Sequence, residues 1–203
     1  GKTGGGRGGN TLTMLVPPGT YTVTLDVEGQ SQSQELRVLK DPNSEGTEAN
    51  IRAQTAMFSE LRDDYEVVVG MVNRLEWIRR QLYDRNRVLE DQGDAPGIIE
   101  ASAELNDKLH AVEGNLIRLM TTGTGQDGVR WAPKLAEDIR YLAGAVATAD
   151  FPPTDQAREV QVILNEKVIR YRAEVDELLR TDVAGFNRML RDRNMPRVIS
   201  DLD

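Results

Sequence analysis

No cysteine occurs anywhere in this chain, and histidine occurs once, as His110. The first absence removes disulfides, thiolate metal sites and thiol nucleophiles together. The lone imidazole offers no nucleophile arrangement and reads as a half-buried or surface residue of a helix. Aromatic residues make up 5% of the chain and charged residues 29%, the balance of a surface-rich helical protein rather than of an aromatic-lined ligand pocket. Basic residues are outnumbered, 25 against 33, for a net charge of −8. That argues against a nucleic-acid partner, because binding phosphates requires a concentrated basic face. No apolar run approaches the roughly 20 residues of a membrane span. The tightest cluster is Val67-Val68-Val69 with Met71 and Val72 around Gly70. The opening residues lack the basic start and apolar centre of a signal peptide.

What is present divides abruptly at Lys40-Asp41-Pro42. Residues 1–9 are a glycine-rich leader that brings backbone entropy and few side chains, so it is expected to be flexible. Gly1-Lys2-Thr3, and the spacing of Gly4, Gly6 and Gly9, imitate phosphate-binding loops. Such loops need a preceding strand and a following helix whose amides converge on the anion, and that context is missing.

Residues 10–42 alternate with strand period. Leu12, Met14 and Val16 alternate with Thr11 and Thr13, Pro17-Pro18-Gly19 makes a turn, and Tyr21, Val23, Leu25 and Val27 share the next face. Glu28-Gly29-Gln30 supplies the glycine of a tight hairpin, and Leu36 and Val38 return on the same side. The expectation is a three-stranded antiparallel meander with one apolar face. Three strands are too few for a sandwich, so this segment reads as the end of a larger β-domain and the chain as the tail of a longer protein. The face must be covered either by missing strands or by the helices that follow.

Residues 43–203 carry helix period. Thr47 is placed to cap a long first helix with the stripe Leu61, Tyr65, Val68, Val72, Leu75, Ile78 and Leu82. It should stop near Gln92-Gly93, with fresh start signals at Asp94-Ala95-Pro96. The second has the seam Ile98, Leu105, Leu109, Val112, Leu116 and Leu119, with Ser102 in the one missing place. A glycine-containing loop, residues 121–130, precedes a third helix through Trp131, Leu135, Ile139, Leu142 and Val146, which ends at Phe151-Pro152-Pro153. Thr154 caps a fourth, and a short last helix is expected from Thr181-Asp182 to before Pro196. The fold class is therefore α+β and mainly α: an antiparallel four-helix bundle with a terminal short helix, preceded by the meander.

No cofactor, metal, small-molecule substrate or catalytic residue is indicated. The bundle stripes are leucine and valine rather than the inward glutamates of a di-metal site. Asp91, Asp94 and Asp127 lie in loops without a calcium ladder, where turn chemistry accounts for them. Glu104 with Lys108, Glu166 with Arg170 and Asp176 with Arg180 are spaced as solvated helix-face pairs. Candidate contact residues remain. Arg79, Arg80, Arg85 and Arg87 form the most basic patch; Trp77 and Trp131 are interface anchors if exposed; Tyr21, Val23 and Leu25 stand on the sheet face.

Three segments together carry a resemblance: Pro17 to Leu25 with its exit through Leu36-Arg37-Val38-Leu39-Lys40-Asp41-Pro42, Pro133-Lys134-Leu135 through Leu142-Ala143-Gly144-Ala145-Val146 to Pro152-Pro153-Thr154, and Thr181-Asp182-Val183-Ala184-Gly185-Phe186-Asn187 through Met195-Pro196. The chain resembles the C-terminal region of bacterial exported proteins with sortilin-like (VPS10) or BNR-type β-propeller repeats. That resemblance implies that residues 10–42 are part of an immunoglobulin-like domain and residues 43–203 a helical tail. It also implies a periplasmic or extracytoplasmic location. The Asp-box signature of the propeller is absent, so no glycosidase role transfers. The expected function is a non-catalytic interaction or structural module, a processed tail serving as an accessory subunit on a larger membrane-associated assembly. Alternatives are the non-catalytic tail of a carbohydrate-active propeller enzyme and a self-associating helical protein.

Overall fold

A computed structural model of the chain describes residues 12–92, 96–123, 126–148 and 150–200, with the side chains of 91, 92 and 96 left aside. The expected glycine-rich leader, the 93–95 turn and Gly125 lie outside the described residues. The chain is mainly helical with one two-stranded antiparallel sheet.

Strands β1 (Gly19–Val27) and β2 (Gln30–Val38) form a hairpin whose register pairs Gly19 with Val38 and Val27 with Gln30. The loop is Glu28-Gly29, with φ of 51° and 82°. A two-residue loop of this twist needs positive φ at both positions, which glycine takes without strain at the second. The expected third strand does not appear among the described residues, of which 12–17 adopt no strand. Instead the Tyr21 hydroxyl donates to the Pro17 carbonyl at 2.6 Å, and the Pro17-Pro18 pair, which has no amide hydrogens, leads straight into β1.

Helix α1 (Glu48–Gln92) starts where Thr47 caps it, its hydroxyl accepting from the Asn50 amide at 3.2 Å. Helix α2 (Pro96–Leu116) begins on proline, whose missing amide hydrogen is harmless in a first turn. One turn, α3 (Asp127–Arg130), interrupts the expected loop. It is held by Asp127, whose buried carboxylate accepts from the Thr122 and Gly123 amides at 2.9 Å each and from the Thr122 hydroxyl. Helix α4 (Leu135–Val146) starts later than its stripe implied, because Trp131 is extended, with φ −128° and ψ 132°. Glu137 closes its first turn by accepting from the Lys134 amide at 2.8 Å. Helix α5 (Asp155–Leu178) is capped by Thr154, which accepts from the Ala157 amide at 3.1 Å.

The last helix does not begin afresh at Thr181. A π-turn (Leu179–Val183) carries α5 directly into α6 (Ala184–Asp192). Thr181 donates back to the Glu177 carbonyl at 2.8 Å, the back-bond of a residue inside a helix rather than a cap. Helix α6 ends on a left-handed Asn194, φ 56°, with the Met195 amide reaching the Leu190 carbonyl and the Asn194 amide that of Arg191. This is the Schellman closure.

Two compact units result, residues 1–62 with 140–160, and residues 63–139 with 161–203. In the first, Ile51, Met57, Phe58, Leu61 and Ala143 are buried, and Gln54 donates to the Val146 carbonyl at 2.7 Å. Gly46 is buried there so close to the Asp150 backbone that a Cβ would lie 1.8 Å from its carbonyl oxygen. In the second, Val68, Leu75, Ile78, Leu109, Leu116 and Leu190 are among the sealed side chains. Each such side chain contributes about 1.5–3 kcal/mol of transfer free energy.

Candidate interaction surface

The hairpin register sorts its side chains onto two faces. Tyr21, Val23, Leu25, Val27, Leu36 and Val38 stand on one with Gln30, Gln32 and Gln34; Thr20, Thr22, Thr24, Asp26, Ser31, Ser33, Glu35 and Arg37 stand on the other. The polar face is internally satisfied in part, the Thr24 and Ser33 hydroxyls lying 2.9 Å apart. The apolar face is open: Leu25 is 63% exposed, Val27 55%, Val23 52% and Leu36 51%. Tyr21 and Val38, nearer the hairpin base, are half-buried. Val38 also lines a notch of about 380 Å³ with Pro18, Leu39, Ile51 and Gln54. Among the described residues both strands are edge strands, so each also presents a row of backbone groups with no strand beside it.

The arginine patch of α1 is divided. Arg79 turns inward, its Nε donating to Asn106 at 3.1 Å and its Nη1 to the buried carboxylate of Glu113. Arg85 is half-buried with its Nη1 unpartnered, and burial lowers its pKa. Arg80 and Arg87 are exposed. Trp77 is 41% exposed, whereas Trp131 is half-buried. Tyr21, Val23 and Leu25 belong to the unit of residues 1–62 and 140–160, whereas the two tryptophans and the four arginines belong to that of residues 63–139 and 161–203.

The α2 seam is buried within the chain as far as Leu116, with Ile98, Ser102, Leu109 and Leu116 completely so, whereas Leu119, expected to continue it, lies past the helix end and is exposed. Ser102 keeps an unpartnered buried hydroxyl there. Lys108 does not pair with Glu104; it donates to Asp182 at 2.5 Å. That hydrogen bond lowers the Asp182 pKa, helped by the Thr181 hydroxyl, and raises that of Lys108. Arg180 takes Glu177 instead of Asp176, and the Arg170 guanidinium lies 4.7 Å from the Tyr171 ring centroid. His110 is exposed. Among the described residues no three His, Cys, Asp or Glu side chains converge as a metal site would require, and no helix is long and apolar enough to cross a membrane.

One set of polar contacts had no sequence signal. Gln81, Asn187 and Arg74 all direct their side chains at the backbone of residues 198–200. Their spacing on α1 and α6 is that of ordinary helix-surface residues. Comparison with protein-family models, with curated proteins and with solved structures finds no match.

Proposed function

We propose that this chain is a non-catalytic interaction module whose contact surface is the apolar face of the β1–β2 hairpin, and whose partner is a second antiparallel β-layer. The open face at Val23, Leu25, Val27 and Leu36 carries this reading. A lone two-stranded hairpin is marginally stable in water, and contiguous exposed apolar surface marks a contact site. The alternation along β1 fits the inner face of a sandwich, in which facing sheets interdigitate about 10 Å apart. An immunoglobulin-like sandwich completed by strands outside these 203 residues is the arrangement proposed, with α1, α2, α4 and α5 forming an antiparallel four-helix bundle. The resemblance to the C-terminal region of exported propeller proteins places the module, in this proposal, as an accessory subunit of an extracytoplasmic bacterial assembly.

Face-resolved photo-cross-linking tests it. A photoreactive residue at Val23, Leu25 or Leu36 should form adducts that map to an alternating apolar strand, and one at Thr22, Thr24 or Glu35 should not. Equal adducts from the two faces, or adducts on helical segments alone, would overturn the reading.

A further inference from the structure

The segment after α6 is held by its backbone and by one buried side chain, Val198. At Val198, the Asn187 side-chain amide takes both groups, accepting from the backbone amide at 2.7 Å and donating to the carbonyl at 3.0 Å. At Ile199, Gln81 does the same, accepting at 2.8 Å and donating at 2.8 Å. Arg74 Nε then donates to the Ser200 carbonyl at 2.6 Å. Two helices, α1 and α6, thus supply five hydrogen bonds to the backbone of three consecutive residues. Side-chain burial alternates along the same stretch: Arg197 is exposed, Val198 is 1% exposed and Ile199 is 49% exposed. That is the pattern of an extended chain laid on a surface with one anchor.

A side-chain amide that satisfies both backbone groups of one residue does not read that residue's identity. It reads extended backbone, as strand addition does, while a pocket for one side chain supplies selectivity. Nothing in these contacts requires the bound segment to be covalently continuous with α6. The link between them, Asn194 to Arg197, contains the left-handed Asn194 and the exposed Pro196, and cap hydrogen bonds join its start to α6. The chain's own tail is therefore a ligand tethered at high effective concentration.

We propose that this groove is an extended-peptide binding site, filled in the resting chain by residues 198–200 and open to a partner segment with a β-branched apolar residue at the Val198 position. A concavity of about 720 Å³ beside Asn187 is lined by Arg188, Arg191, Arg197, Asn194 and Met195. Arg197 leaves with the tail, whereas Arg188 and Arg191 stay on α6. An acidic residue just before the anchor in the partner therefore gains charge complementarity that Arg197 lacks. This site belongs to the unit of residues 63–139 and 161–203, and it stands or falls independently of the hairpin.

The experiment uses the full chain with Val198→Asp, which makes burial of the anchor prohibitive and empties the groove. A capped Met-Pro-Arg-Val-Ile-Ser peptide is titrated by calorimetry into this variant and into the unsubstituted chain. The variant should bind at least about tenfold more tightly, because a self-occupied site lowers apparent affinity by its unoccupied fraction. Adding Gln81→Ala should weaken binding at least about fivefold, the order expected for lost backbone hydrogen bonds. Replacing the peptide's arginine with glutamate should tighten it, and replacing its valine with aspartate should abolish it. No binding by a variant that keeps the parent circular dichroism and cooperative melt, or equal binding of the aspartate peptide, overturns the proposal. Should Val198→Asp not fold, hydrogen exchange on the unsubstituted chain decides. Excess peptide should speed exchange at the Val198 and Ile199 amides while α2 stays protected, and unchanged exchange at those amides overturns it.

Discussion

Arg79 on α1 and Glu113 on α2 share a charge-assisted hydrogen bond whose carboxylate end is sealed from water, the Glu113 side chain being 2% exposed and that of Arg79 26%. Asn106 holds the other edge of the same guanidinium. Breaking a buried pair from one side strands its partner, whereas replacing both members with apolar residues is often neutral. Arg79→Ala should therefore cost about 3 kcal/mol, since it leaves the sealed carboxylate alone. Glu113→Ala should cost less, about 1–2 kcal/mol, because the half-buried arginine can rehydrate. The double substitution Arg79→Met with Glu113→Leu should return to within about 1 kcal/mol of the parent. Urea unfolding of the four proteins measures all three.

Gly46 and Gly70 should respond oppositely to alanine. A Cβ on Gly46 would meet the Asp150 carbonyl oxygen at 1.8 Å, and a backbone atom cannot swing aside. Gly46→Ala should cost about 3 kcal/mol, the upper range for overpacking. Gly70 is exposed within α1 with nothing near its Cβ direction, so Gly70→Ala should stabilise by about 1 kcal/mol. Thermal melts read both.

The Lys108–Asp182 pair gives α2 and the π-turn a pH-dependent link. Asp182, lowered by the Lys108 hydrogen bond first and the Thr181 hydroxyl second, contributes fully above its unfolded pKa and loses that contribution as pH falls through the folded one. Lys108, raised by the same hydrogen bond, contributes below its unfolded pKa and loses it as pH rises through the folded one. The link should be intact between about pH 5 and pH 10 and lost on either side. Carboxyl-resolved NMR titration should place Asp182 below free aspartate, and Lys108→Met should move it back upward.

Leu25→Lys and Leu36→Lys should leave stability within about 0.5 kcal/mol of the parent, because both side chains are more than half exposed and surface changes are generally that small. Equilibrium unfolding checks this, and a loss of about 2 kcal/mol would mean that the face is packed within the chain.

The helices were legible because leucine and valine at steps of three and four can be buried only together on one face. Leu61, Val68, Leu75 and Ile78 on α1 and Ile98, Leu109 and Leu116 on α2 are all fully sealed. Thr47 and Thr154 were legible as caps because a hydroxyl just before a periodic run has an unpaired amide to accept from. The same logic misled at Thr181-Asp182, where the hydroxyl bonds backward and the π-turn keeps the helix going. Alternation at residues 10–16 predicted a strand, but a strand also needs a neighbour's edge, which local pattern does not reveal. The inward turn of Arg79 depended on Glu113, 34 residues away, and the grip on residues 198–200 depended on Gln81 and Asn187 meeting in three dimensions. Charge and amide side chains carry no periodic signal of that kind.

Hydroxyl-radical footprinting of the purified chain and of the same chain in its native assembly tests the central claim most directly. Val23, Leu25, Val27 and Leu36 should be oxidised in the purified chain and protected together in the assembly, while the exposed Tyr83 and Tyr141 serve as accessible references. Continued oxidation of all four hairpin residues in the assembly would contradict the assignment of that face as the contact surface.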